Sequence, residues 1–244
     1  MKTEITASDF AHRTASIKGL TVSRAWKGYG STIFLELGVL QFSKHHPKGT
    51  GEVCVSIDWD WRVDSDLEII CGSANSRPEI TNCMTVLQNQ VIVSVALCGR
   101  PAELLVTFSS GLHLRSMAMV TGSPQWSIRT QDGLWLSCDR GSLYASDGLH
   151  VDGMTAEENA ACDLAESAST RWGKPVVEPK KGCCRDCRFY VRLDGSFYFL
   201  DYGVCSAEGS DLDGRVTNVE SGCPKHARVD SESHIGAAPT TSTG

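Results

Sequence analysis

No apolar run in this sequence approaches eighteen residues, and its first twenty, from Met1 through Asp9 and Arg13 to Leu20, hold no unbroken hydrophobic segment. A membrane-spanning helix and a cleaved leader are therefore not expected, and a soluble, cytoplasmic protein without a membrane partner is. Also missing are a Gly-x-Ser-x-Gly elbow, a phosphate-cradling Gly-Lys-Ser/Thr loop and a His-Glu-x2-His helix. Without them the sequence offers no hydrolase, nucleotide-binding or zinc-protease signature, and no catalytic residue is expected. Positive charge is scarce as well. Lys and Arg number 23 against 29 Asp and Glu, and the net charge of −6 disfavours a non-specific grip on phosphate backbones.

What remains is globular. Hydrophobic content of 41% and charged content of 21% over 244 residues suit one larger domain and one small one. Cysteine is plentiful: eleven residues, an odd count, five of them between residues 183 and 223. With no export signal ahead of them, a metal fits that cluster better than disulfides do. The other six, Cys54, Cys71, Cys83, Cys98, Cys138 and Cys162, stand singly in apolar or helical patterns, where a reduced thiol acts as a small hydrophobe.

Along the chain, residues 1–15 are polar and read as a flexible N-terminus, and residues 16–150 as a β-rich domain. Leu20–Ser23 and Ile33–Leu37 flank a Gly28/Gly30 turn, which is a hairpin signal. Residues 53–64 alternate without a break: Val53, Val55, Ile57, Trp59, Trp61 and Val63 on one parity, Cys54, Ser56, Asp58, Asp60, Arg62 and Asp64 on the other. A single strand is expected there, with its aromatic face in a core and its acidic face in water. Asp58 and Asp60 could share a charge on that face, but a solvated surface partly neutralised by Arg62 is the simpler reading. After a polar loop from Ser73 to Glu79, strands are expected at 91–97, 104–108 and 112–115, and a further hairpin at 124–136 around Asp132-Gly133. Both blocks run Val-Ser strand, glycine turn, Leu-rich strand and glycine, so a degenerate internal duplication is expected within an antiparallel β-sandwich or barrel. On Trp61-Arg62-Val63, the Ile70-Cys71-Gly72-Ser73 step, the Leu87-to-Leu114 strand pair and Gln125-Trp126-Ser127-Ile128, residues 17–145 resemble an uncharacterised β-rich bacterial family, some of whose members sit near toxin-immunity genes.

Residues 151–180 read as one connecting helix and a linker. Thr155 and Glu158 form a capping box, Gly173 and Pro175 stop the helix, and Ala161, Leu164, Ala165, Ala168 and Trp172 make a stripe expected to dock. Residues 229–244 read as a disordered tail.

Residues 181–228 carry the chemistry. Cys184-x2-Cys187 is followed after seventeen residues by Cys205, and after seventeen more by Cys223-Pro224-Lys225-His226. Two clips and a lone cysteine can close a tetrahedral zinc site of the zinc-ribbon kind. Four thiolates are the first arrangement, and three thiolates with the His226 imidazole the second; Cys183 could stand in for Cys184. A tetrathiolate site can also hold iron or an iron–sulfur cluster, shielded by Phe189, Tyr190, Phe197, Tyr198 and Phe199. Seven basic and seven acidic residues balance between Lys181 and Arg228, so a protein partner is favoured over nucleic acid. Arg185, Arg188 and Arg192 could still make a basic edge beside aromatics, as in a nucleic-acid-binding ribbon. On Cys184/Cys187, Leu193-Asp194-Gly195-Ser196, Gly203-Val204-Cys205, Asp213-Gly214-Arg215-Val216 and Gly222-Cys223-Pro224-Lys225-His226, the segment resembles the metal-binding domain of an uncharacterised, mainly actinobacterial family. That resemblance implies zinc and no catalysis.

Overall fold

A computed structural model describes residues 2–28, 30–44, 46–58, 60–119, 124–148, 182–193, 199 and 201–229, with 156, 157, 159, 160, 163, 164 and 167. The chain divides into two units, Met1–Gly153 and Met154–Gly244. It is mainly β, with its strands in three antiparallel sheets.

The first unit opens with β1 (Thr3–Glu4) and helix α1 (Ala7–Thr14). Then come β2 (Val22–Lys27), β3 (Ile33–Leu37), β4 (Val53–Ile57), β5 (Trp61–Asp64) and β6 (Ile69–Gly72). Helix α2 (Arg77–Leu87) leads a second series of β7 (Ile92–Cys98), β8 (Glu103–Phe108), β9 (His113–Ser116), β10 (Trp126–Arg129), β11 (Trp135–Asp139) and β12 (Ser142–Ser146). One sheet has the order β1-β12-β11-β10-β4-β3-β2, and the other β6-β5-β9-β8-β7. Neither closes on itself, so the barrel alternative is excluded among the described residues. One hydrophobic core draws on both, with Leu35, Val55, Ile128 and Leu136 from the first sheet and Val63, Val106, Phe108 and Leu114 from the second.

The expected single strand at 53–64 is two strands in different sheets. Only three residues, 58–60, join Ile57 to Trp61. At about 3.3 Å per residue they span roughly the 10 Å between stacked sheets, enough to cross over. The alternation survives the crossing, because Val53, Val55, Ile57, Trp61 and Val63 are all buried. The other face is less solvated than expected. The Ser56 and Ser127 hydroxyls lie 2.6 Å apart, and Asp64, 4% exposed, accepts from Arg62 Nε at 2.6 Å and Arg115 Nε at 3.3 Å.

Each sheet thus takes strands from both halves, and the bonding repeats position by position. Ile92 N–H donates to Leu20 O at 2.9 Å and Val22 N–H to Gln90 O at 2.8 Å; Gly19 N–H donates to Ile92 O and Asn89 N–H to Val22 O, each at 2.8 Å. Gly19 and Asn89 both have positive φ. Bulges fall between Val22 and Arg24 and between Ile92 and Ser94. The Trp61 indole N–H donates to Ser31 O at 2.7 Å and that of Trp126 to Ala102 O at 3.4 Å.

The N-terminus is not loose. Thr6 and Asp9 form a capping box, which fixes α1 and seats Phe10, 1% exposed, edge-on against Trp126. Nor is the polar loop after Ser73 only a loop. Ser76 and Glu79 form the same box on α2, Pro78 sits in its first turn, and Ile80, Cys83, Met84 and Leu87 are buried at helical spacing. Cys71, Cys83 and Cys138 are buried as expected of small hydrophobes, while Cys54 and Cys98 are half-buried. In the region of the expected connecting helix, residues 156, 157, 159, 160, 163, 164 and 167 are helical or exposed helical positions, and Leu164 is 60% exposed rather than docked. Thr155, Glu158, Ala161, Cys162, Ala165, Ala168, Trp172, the linker before residue 182 and the tail from residue 230 lie outside the described residues.

Asp58, in the crossover, has its carboxyl pushed up from 3.8 to about 6 by burial. The native state keeps this proton after the unfolded chain has ionised, so stability falls as pH rises from 3.8 to about 6 and is level above. Asp58→Asn is expected to flatten that slope and to raise neutral-pH stability by about 3 kcal/mol, read from denaturant midpoints across the window.

Candidate metal centre

The second unit has a three-stranded sheet of β13 (Tyr190–Arg192), β14 (Tyr202–Cys205) and β15 (Val216–Asn218), in that order. Cys184–Asp186 forms a 3-10 turn in which Cys187 N–H donates to Cys184 O at 3.2 Å, so the first clip is a tight loop. The chain around the second clip runs alongside it. Cys184 N–H donates to Ser221 O at 2.6 Å and Arg185 N–H to Val219 O at 2.8 Å; past the clip, Arg188 N–H donates to Ala227 O at 2.8 Å. Cys205 ends β14 opposite Tyr190, and its own N–H donates to Arg215 O at 3.1 Å. Backbone pairing therefore ties the first clip to the chain on either side of the second clip, while Cys205 is held within the small sheet.

Cys184, Cys187 and Cys205 are buried, at 5%, 9% and 4% exposure, and Cys223 is half-buried. Burial pushes the Cys184 thiol up to about 11, and the thiols of Cys187, Cys205 and Cys223 each oppose its ionisation. Cys184 is buried, whereas Cys183 is half-buried. Among the described residues, no three His, Cys, Asp or Glu side chains converge tightly enough to hold an ion as they stand.

His226 meets Asp186 through one ring nitrogen. Its Nε2 lies 3.0 Å from Asp186 Oδ1, and Arg228 Nε lies 3.7 Å from Asp186 Oδ2. Gly182 is packed against the imidazole, since a Cβ there would meet Cε1 at 2.5 Å.

Three further residues belong to this region that sequence reasoning did not single out as site residues. The hydroxyls of Tyr190, Thr217 and Ser221 are buried without a hydrogen-bond partner among the described residues. The Thr217 hydroxyl lies close enough to Cys184 to favour its thiolate without meeting full hydrogen-bond geometry. Tyr190 is held with its own proton by burial and by Cys184. An unpaired buried hydroxyl costs about 1–3 kcal/mol, and thiolates are acceptors such groups can use. A threonine in a short strand and a serine before Gly222-Cys223 carry no such signal in sequence.

The expected basic edge is diluted. Arg185 Nη2 pairs with Glu220 at 3.2 Å, and the Arg188 guanidinium lies 5.3 Å from the centre of the Phe189 ring. Arg192 is exposed on β13. Phe199 packs edge-on against Tyr202, while Phe197 and Tyr198 lie outside the described residues.

These features define a β-rich protein carrying a separate cysteine-clip module. Residues 155–230 match a family model described as "Protein of unknown function (DUF3027)". No curated protein and no solved structure matches the chain. No helix among the described residues is long and apolar enough to cross a membrane.

A Cβ on Gly203 would lie 2.5 Å from Tyr190 Cζ and 2.5 Å from Val191 O. Overpacking of this kind costs about 1–3 kcal/mol. Gly203→Ala is expected to speed hydrogen exchange across residues 182–229 while leaving residues 2–148 unchanged, measured by mass spectrometry.

Proposed function

We propose that residues 181–228 form a structural zinc-ribbon-like module closed by Cys184, Cys187, Cys205 and Cys223, in a non-catalytic protein that works by binding another protein. The observation that supports this is that Cys184, Cys187 and Cys205 are buried in one small unit and that the thiols of Cys187, Cys205 and Cys223 lie near enough to Cys184 to oppose its ionisation. Two clips and a strand end linked by backbone pairing supply the donor set zinc prefers. The unpaired hydroxyls of Tyr190, Thr217 and Ser221 would donate toward bound thiolates. A module this small buries little apolar surface, and metal binding would supply the missing folding free energy.

The position-by-position recurrence of hydrogen bonds in the first unit supports reading it as a duplication whose halves exchanged strands. Exposed Leu67, Ile69, Val39 and Phe42 there, the acidic balance and the lack of a catalytic constellation favour an immunity-like or accessory role over an enzyme or a nucleic-acid reader.

Protein purified without added metal is expected to carry one zinc per chain by elemental analysis. Cys187→Ser should lose it and become protease-sensitive within 182–229, whereas Cys183→Ser and His226→Ala should retain it. A brown, iron-loaded sample would replace zinc by iron in this reading, and a wild-type protein that takes up no metal on titration would overturn it.

A further inference from the structure

Strand β6 passes into helix α2 through residues 73–76, and Asn75 fastens the two elements together. Gly72 N–H donates to Asn75 Oδ1 at 2.8 Å, and Asn75 N–H donates to Gly72 O at 3.0 Å. The helix then packs back on β6 and also on β2. Cys71 of β6 and Cys83 of α2 are thereby brought side by side. Cys71 stands opposite Val63 in the sheet, and Cys83 lies on the buried stripe of Ile80, Met84 and Leu87. The Cys83 thiol donates to Cys71 Sγ, and the Cys71 thiol donates to Gly72 O at 3.8 Å. The two residues are 4% and 3% exposed.

The fold does not itself require two thiols at this place. In the repetition that matches Gly19 to Asn89, Phe10 and Thr14 of α1 correspond to Ile80 and Met84 of α2, and all four are buried. On that offset Cys83 corresponds to Arg13, and on the offset that matches Trp61 to Trp126, Cys71 corresponds to Leu136. One half of the unit holds a pair of thiols where the other holds an arginine and a leucine, so packing alone does not call for cysteine. The two thiols are also unequal. The contact with Cys83 pulls the Cys71 thiol below its ordinary 9.0, while the same contact, together with burial, keeps the proton on Cys83. Burial pushes the Cys54 and Cys138 thiols up to about 12 and about 11, and raises Cys98 as well, which leaves them poor nucleophiles. Cys71 is thus the thiol with thiolate character among the described cysteines of the first unit, and a second sulfur sits against it.

We propose that Cys71 and Cys83 form an oxidation site, at which Cys71 reacts with a small hydroperoxide and Cys83 closes a reversible disulfide between strand β6 and helix α2. With hydrogen peroxide, the Cys71 thiolate attacks one oxygen, the O–O bond breaks, and the departing hydroxide takes up a proton and leaves as water. Cys83 then attacks Sγ of the Cys71 sulfenic acid; the S–O bond breaks, and a second water leaves with the Cys83 proton. Two thiols and one peroxide become one disulfide and two waters, and a dithiol reductant reverses the closure by exchange. The disulfide fixes α2, which also seats on β2, to the second sheet. The metal module takes no part, because both cysteines lie in the other unit.

The test exposes the full chain to hydrogen peroxide at the highest level that leaves Cys54 and Cys138 reduced, unfolds it in iodoacetamide, and maps the products by mass spectrometry after cleavage at glutamate. Cleavage after Glu68, Glu79 and Glu103 puts Cys71 in residues 69–79 and Cys83 in residues 80–103. These two peptides are expected to be joined through Cys71 and Cys83, with Cys98 of the second alkylated, and dithiothreitol given before alkylation should free both. In Cys83→Ser, dimedone should label Cys71 as a sulfenic acid; in Cys71→Ser, Cys83 should stay reduced. Because either variant could disturb the core, the wild-type map decides by itself. Recovery of Cys71 and Cys83 as alkylated thiols would overturn the proposal, and so would a link from Cys71 to another cysteine or to a second chain.

Discussion

Three residues separate Ile57 in one sheet from Trp61 in the other, a link as short as a hairpin loop that here carries the chain from one sheet to the other instead of back beside β4. The alternation of buried residues runs through it into the facing sheet. The longer passage from Ser116 to Trp126 makes the reciprocal crossing. Once both crossings are made, each sheet contains strands of both halves, and neither half can complete a hydrophobic face alone. The shared core, the stitched β2 and β7 ends and the seating of α2 against β2 and β6 all depend on this exchange.

The second unit solves a different problem with fewer residues. Its sheet has strands of three or four residues, and its buried set is dominated by cysteines and small polar groups such as Thr217, Asn218 and Ser221. Hydrophobic burial is limited there, so backbone bonds between Cys184 and Ser221, Arg185 and Val219, and Arg188 and Ala227 set the geometry. They also tie together stretches of chain around cysteines that lie far apart in sequence. Asp186 Oδ1 lies 3.0 Å from His226 Nε2, so the second clip is also tied to the first through side chains.

Much of the strand pattern was legible. The hairpins around Gly28/Gly30 and Asp132-Gly133, and the β7–β9 series, rest on local alternation and turn chemistry, which act between neighbours. Helix α2 was also written locally, in Ser76, Pro78, Glu79 and the Ile80, Cys83, Met84, Leu87 stripe, but the polar residues before it mask the signal. The break at residues 58–60 was not legible, because two strands in facing sheets share one alternation when the chain crosses their common core. Cys184 and Cys183 could not be separated by spacing; burial separates them.

By itself the sequence determined the elements whose causes are local: the alternating strands, the turns, the capping boxes at Thr6 and Ser76, and the clip spacing of Cys184, Cys187, Cys205 and Cys223. Only the tertiary structure decided which strands share a sheet and that the hydroxyls of Tyr190, Thr217 and Ser221 are buried without a partner among the described residues. The reason is range. Alternation and capping act over a few residues, whereas strand exchange and the burial of those hydroxyls depend on partners distant in the chain.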